Sequence, residues 1–314
     1  MTQGLKVIHP GIFTTYQDLG RRGFRQFGIP LSGAMDTLAL KAANFLVRNK
    51  ESEVGLEVTL MGLKLVALSP LWIAITGADL HFTINSEYQS PWKTYFLNPG
   101  DTLHFKQRKS GLRAYLAVRG GFTAPSFIGS ASVFQRGYMG NPLKMDEILE
   151  IGDRSKGIPS EITVPKEYLP NPSDQESIRV IMGPQTERFT EEGIHHFLNS
   201  TYRIKPQSDR MAYRLEGPKI IHHGKADIIS EPLMPGAIQV PSDGYPIILM
   251  VDGQITGGYA KIANVISADI PVLAQKIPGD SLRFESVNLE RAYTALEERG
   301  QLLCWLKMNF PLSD

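Results

Sequence analysis

Pro99-Gly100-Asp101-Thr102-Leu103-His104-Phe105 recurs further along the chain as Pro278-Gly279-Asp280-Ser281-Leu282-Arg283-Phe284. Each copy reads as a tight turn feeding an alternating strand. Proline presets φ, glycine supplies a left-handed residue, and Leu and Phe two positions apart share one face. Turns of this composition are common, so coincidence is one reading; relatedness would mean two similar β domains in tandem. Between the copies, Pro159, Pro165, Pro170 and Pro172 crowd among polar residues. That places a linker at 156–177, separating an N-terminal domain at 1–155 from a C-terminal one at 178–314 that ends in a helix.

Composition agrees with a β-rich chain. Among 314 residues, 29 Gly and 21 Pro leave little room for long helices. Charge is balanced, 33 Lys+Arg against 32 Asp+Glu, which gives no drive toward nucleic acid or an anionic membrane. The longest apolar runs, such as Ile247-Ile248-Leu249-Met250-Val251, fall far short of a membrane span, and no secretory core follows Met1. Cys304 is the only cysteine, so no intrachain disulfide can form. A cytoplasmic protein is expected.

Three helices are expected. Apolar positions at 35, 38, 39, 42, 45 and 46 repeat at helical spacing behind Ser32, a plausible cap. Phe189 to Leu198 is a shorter segment, and Asn288 caps a helix from Leu289 toward Gly300, which sits where a terminating glycine belongs. Strands are expected at 63–68, 72–76, 114–118, 179–182 and 246–251. Several lack strict alternation, which suits burial on both faces.

Familiar chemistry is missing: the chain has no GxxxxGK[ST] phosphate loop, no GxGxxG, no HExxH and no GxSxG. His195-His196 and His222-His223 are adjacent pairs whose rings point apart, so no metal site is expected. Cys304 lies in an apolar run and reads as packing. Three polar clusters remain. The first spans Thr14 to Asp36, where Arg21 and Arg22 lie between glycines and the helix near Ser32 offers free N–H groups to an anion. The second, Gln207 to Gly217, holds Asp209 and Arg210, for which a structural ion pair is the plain alternative. The third combines Gln239 with Asp252, Gln254, Thr256 and Tyr259, among glycines after the most apolar strand. Such a place suits a small polar ligand, or equally a structural hairpin.

At these clusters the sequence resembles the carboxyltransferase-type family that includes allophanate hydrolase subunit 2, KipI antagonists and 5-oxoprolinase C subunits. The matching stretches are PGIFTTYQDLGRRGFRQFGIPLSGAMD at 10–36, AANFLVRN at 42–49, LEVTLMG at 56–62, TGAD at 76–79 and GLRAYLAVRGGF at 111–122. They continue with SDRMAYRLEG at 208–217, GAIQVPSDGYPIILMVDGQITGGY at 236–259 and AQKIPGD at 274–280. Asn141, Ile255, Ala212 and Ala260 depart from the family pattern, which has Arg, Thr, Gly and Pro there.

The resemblance implies a mainly β fold of two tandem cyclophilin-like barrels. It also implies membership of an ATP-dependent complex that opens 5-oxoproline to glutamate, with a KipI-like B subunit and a LamB/YcsF-like A subunit. ATP would serve the complex, its binding subunit open. The alternatives are carboxyl transfer to a small amide such as urea, with carboxybiotin supplied in trans, and non-catalytic antagonism of a KipI-like protein. For the first, Asp209 and Asp252 are expected to orient groups or transfer protons. Arg21 and Arg210 would contact an anion, while Gln239, Gln254, Thr256 and Tyr259 would line the substrate pocket.

Overall fold

In the computed structural model, which describes residues 4–152, 161–170 and 177–310, the two Pro-Gly-Asp turns close identically. Gly100 and Gly279 take φ of +93° and +94°. Asp101 Oδ2 accepts from the Asn98 N–H at 2.7 Å, and Asp280 Oδ2 from the Ile277 N–H at 2.9 Å. Each turn then docks on a neighbouring strand by a reciprocal pair of bonds. The Gly100 and Gly279 N–H groups donate to the carbonyls of Ala67 and Ile204, and the Ala67 and Ile204 N–H groups donate to those of Asp101 and Asp280. Beyond both turns Leu103, Phe105, Leu282 and Phe284 are buried. The echo is thus one structural device used twice.

The chain divides into two compact units: Met1–Arg21, Ser32–Pro170 and Gly300–Asp314 form one, Arg22–Leu31 and Asn171–Arg299 the other. Packing is therefore less simple than a split into 1–155 and 178–314. The first unit carries β1 (Gly4–Pro10), β2 (Phe13–Gln17), α1 (Thr37–Leu46), β3 (Gly55–Thr59), β4 (Leu63–Ala67), β5 (Leu71–Asp79) and β6 (Phe82–Ile84). It continues with β7 (Glu87–Tyr88), β8 (Lys93–Leu97), β9 (Thr102–Phe105), β10 (Ser110–Val118) and β11 (Ile148–Glu150). These form a six-stranded sheet, β11-β1-β4-β9-β6-β7, and a five-stranded one, β2-β3-β10-β5-β8. Leu65, Phe82 and Phe105 of one sheet share a core with Val58, Ile73, Ile75 and Leu116 of the other. The alternate residues Ala74, Tyr115 and Ala117 pack instead against α1. That is why β5 and β10 lack an alternating pattern: both faces are covered.

The second unit carries β12 (Ser177–Met182), α2 (Glu191–Asn199), β13 (Tyr202–Ile204), β14 (Ala212–Glu216), β15 (Asp227–Pro232) and β16 (Ala237–Gln239). It continues with β17 (Ile247–Leu249), β18 (Thr256–Tyr259), β19 (Lys261–Val265), α3 (Ile270–Ala274) and β20 (Ser281–Ser286). Seven of these close a barrel in the order β12-β19-β16-β17-β14-β13-β20, while β15 and β18 form a separate ribbon. The closing pair, β12 with β20, is parallel. The fold is mainly β, as expected; the barrel ladder closes in this unit, whereas the first unit holds its strands as two sheets.

Three local expectations change. Ser32 does not cap α1: it has φ +55°, and the cap is Asp36, whose Oδ1 accepts from the Ala39 N–H at 2.9 Å. Gly300 does not end the last helix, α4 (Leu289–Asn309), which runs through it. A helical glycine costs about 1 kcal/mol, whereas burying a leucine returns about 2 kcal/mol, and both Leu302 and Leu306 are buried beyond it. The same periodicity turns Cys304 outward, so it is exposed rather than packed. The linker expected at 156–177 lies outside the described residues at 156–160 and 171–176. Its described middle is packed, with Ile162 and Val164 in the core and Thr163 bridged to Lys93. Among the described residues no helix is long and apolar enough to cross a membrane.

A Cβ at Gly100, Gly279 or Gly300 meets nothing within 4 Å, so substitution there isolates backbone effects. Gly100→Ala and Gly279→Ala should each destabilise by about 1–2 kcal/mol from the left-handed φ, whereas Gly300→Ala should stabilise by about 1 kcal/mol. Urea unfolding of the three variants checks the opposite signs.

Candidate functional site

The third polar cluster assembles in the barrel unit. β17 delivers a buried run that ends at Met250 and Val251, and the chain then turns at Asp252 and Gly253 into β18. Arg210, just before β14, clamps that turn. Its Nε donates to Asp252 Oδ2 at 2.8 Å and its Nη2 to Oδ1 at 3.3 Å, with both residues buried. The backbone repeats the link, since the Asp252 N–H donates to the Arg210 carbonyl at 3.0 Å and the Met250 N–H to that of Met211 at 2.9 Å. Gly253 fits because a Cβ there would stand 2.9 Å from the carbonyl oxygens of both Met211 and Met250.

Beyond the turn, three of the expected pocket residues converge. Gln239 is buried at the end of β16 and donates through Nε2 to the Tyr259 carbonyl at 3.2 Å. A Cβ at Gly257 would lie 2.8 Å from Gln239 Nε2 and 3.0 Å from Gln254 Nε2. Both amide nitrogens therefore crowd the same point above Gly257, where a side chain would have to displace them. Gln254, Thr256 and Tyr259 are exposed, so they present hydrogen-bonding groups to solvent.

Beside them lies a polar triad, an ion pair with an amide, that sequence reading missed. Lys261 opens β19, pairs in register with Gln239, and its Nζ bonds Glu231 Oε1 on β15. Gln185 completes the group: its Nε2 donates to Glu231 Oε1 at 2.8 Å, and its Oε1 accepts from the Lys261 N–H at 3.2 Å. Burial lowers the Lys261 pKa from the ordinary lysine value. The one sequence signal was a lysine inside the apolar stretch Ala260-Lys261-Ile262-Ala263. Its partners come from distant strands and had none. A buried ammonium, a half-buried carboxylate and three amides can orient a polar substrate and neutralise charge developing on a carbonyl oxygen.

The other expected residues do different work. Asp209 Oδ1 accepts from the Met211 and Ala212 N–H groups at 2.7 and 3.3 Å, an Asx turn that starts β14. Asp209 and Asp252 thus each hold a neighbouring backbone or side chain in place. Arg21 is not an open anion contact. It is buried in the first unit, and its guanidinium donates to the carbonyls of Phe127 at 3.0 Å, Ser130 at 3.4 Å and Ser132. The start of α1 does not fit a phosphate either. Asp36 caps it, Glu57 Oε2 accepts the Met35 N–H at 2.8 Å, and Tyr115 Oη takes that of Asp36 at 2.7 Å. Among the histidines, His196 Nδ1 lies 3.0 Å from the Lys219 carbonyl and His222 Nε2 3.0 Å from that of Val240.

Comparison with known proteins agrees with this architecture. Residues 27–286 match the family described as carboxyltransferase domain, subdomain A and B. The chain is 37% identical to the 5-oxoprolinase C subunit of Escherichia coli (strain K12), covering 97% of this chain and 99% of that protein. It is 34% identical to the protein of the same name from Haemophilus influenzae, over 88% and 89% of the two. The solved structure of Kluyveromyces lactis urea carboxylase superposes with a TM-score of 0.90 at 29% identity, over 97% of this chain and 29% of that one. A barrel of this topology, carrying its polar cluster after a buried strand, and a family match across most of its length make this chain a member of the carboxyltransferase domain family, subdomains A and B.

Proposed function

We propose that the chain is the C subunit of an ATP-dependent 5-oxoprolinase, acting with KipI-like B and LamB/YcsF-like A partners to open a lactam to glutamate. The observation that carries this reading is the extent of likeness to the Escherichia coli protein, 37% identity over 99% of its length, against 29% of the urea carboxylase chain. The cluster in the barrel suits the chemistry. A lactam needs partners for its amide, which Gln239 and Gln254 offer, and a cation near its carbonyl, which Lys261 offers from its pair with Glu231. Arg210 and Asp252 neutralise each other and act by holding the turn that presents Gln254. ATP belongs to the complex, and no step through it is assigned to this chain.

The test is glutamate release from 5-oxoproline with ATP, using this chain and its A- and B-like partners with each omitted in turn. Activity that requires all three supports the reading. Carboxylation of an amide that depends on a carboxybiotin carrier, without glutamate release, would replace it with the transferase. A stable complex with neither activity would leave antagonism of the KipI-like partner.

Lys261 separates chemistry from structure. Lys261→Met strands Glu231 without its cation and should destabilise by about 1–3 kcal/mol. Adding Glu231→Leu should recover most of that loss in thermal unfolding. Activity should stay down by about a hundredfold in both variants, as removal of a charge-stabilising donor predicts.

A further inference from the structure

The first unit holds a cavity of about 490 Å³ that the barrel site does not involve, formed where β2 meets the stretch between β10 and β11. That volume lies in the range of small-molecule sites. Its wall is largely carbon, from Pro125, Phe127, Ala131, Val133 and Pro142. The wall is also braced from behind. Arg21 holds the Phe127 carbonyl, and Asp18 accepts from the Ala131 N–H at 2.8 Å and from the hydroxyls of Ser130 and Ser132 at 2.7 and 2.5 Å. The Arg21 and Asp18 cluster therefore shapes a site rather than forming one.

Two polar groups in this wall have unused capacity. Tyr16 is only 7% exposed, and its hydroxyl has no hydrogen-bond partner among the described residues. The ring is buried while the hydroxyl faces the cavity, where a ligand acceptor can take the place of water. Glu147 Oε2 takes the Lys144 N–H at 2.9 Å, which leaves Oε1 open among the described residues. The lining carries one cation, Lys144, against Asp146 and Glu147. Asp146 is itself paired with Lys6 at 2.9 Å. Burial, with Glu147 and Glu150 nearby, pushes the Tyr16 phenol well above its ordinary pKa, so it stays a neutral donor.

We propose that this cavity binds an uncharged planar amide, a lactam, imide or ureide, whose carbonyl accepts from the Tyr16 hydroxyl and whose N–H donates to Glu147. Carbon walls flank the flat body of such a ligand. Lys144 and Lys6 balance the carboxylates of Asp146 and Glu147, so the lining offers an anion no net attraction and 5-oxoproline is not held. The site is independent of the lactamase reading and stands or falls without it.

The test uses the full chain alone, with 2-pyrrolidinone as the neutral probe and 5-oxoproline as the anionic one, followed by ligand-observed saturation-transfer NMR. The neutral lactam should bind. Tyr16→Phe should weaken it about fivefold, the worth of one net hydrogen bond, with no loss of melting temperature. Glu147→Gln keeps an acceptor but removes the charge. It should hold 2-pyrrolidinone within about twofold while letting 5-oxoproline compete, which it does not do in the wild type. Should Tyr16→Phe fail to fold, the Glu147→Gln comparison decides alone. The proposal is overturned if 2-pyrrolidinone does not bind, if a folded Tyr16→Phe variant binds it equally well, or if 5-oxoproline displaces it from the wild type.

Discussion

The barrel site depends on one ion pair, Arg210 with Asp252. Removing two charges from water costs several kcal/mol per ion, so such a pair persists only with good geometry. Here the guanidinium meets both carboxylate oxygens and the backbone strands on either side bond to each other as well. The clamp fixes where β17 ends and therefore where β18 begins. From that starting point Gln254 and Gly257 fall opposite Gln239, and β15 brings Glu231 to Lys261. Leu233 at the end of β15 is held in turn: its N–H donates to the Ile255 carbonyl at 2.8 Å, and its own carbonyl accepts from Arg25.

Charge elsewhere in the molecule is spent on architecture. The first unit buries Arg21, Glu57 and Arg113, and each serves backbone or a neighbouring side chain. Glu57 accepts from the Tyr115 hydroxyl at 2.7 Å and from the Met35 N–H, so the approach to α1 is sealed by carboxylates. Motifs that look like anion sites in one dimension are consumed in three. The arginine between glycines is a staple for a loop more than a hundred positions away, and the helix start is already neutralised.

What can be read from the sequence is local or periodic. The repeated Pro-Gly-Asp turn, the doubly buried strands and the polar residues after β17 all announce themselves within a few positions. What escapes is set by pairing between distant strands. Lys261, Glu231 and Gln185 meet only because β19, β15 and the segment after β12 converge, and no local pattern links them. Ser32 and Gly300 mislead for a related reason. Propensity marks them as a cap and a terminator, but the helix starts only at Thr37, where Asp36 is the cap, and the buried leucines beyond Gly300 outweigh its helical cost.

The central claim is that Arg210 and Asp252 act as one unit in holding the site turn. A double-mutant cycle, with Arg210→Ala, Asp252→Ala and the pair together followed by equilibrium urea unfolding, tests it directly. Each single change should cost about 3–5 kcal/mol by stranding a buried charge, and the double should cost far less than their sum, with coupling above about 1.5 kcal/mol. Additive losses, with coupling near zero, would contradict the account and show that the turn is held by its backbone bonds alone.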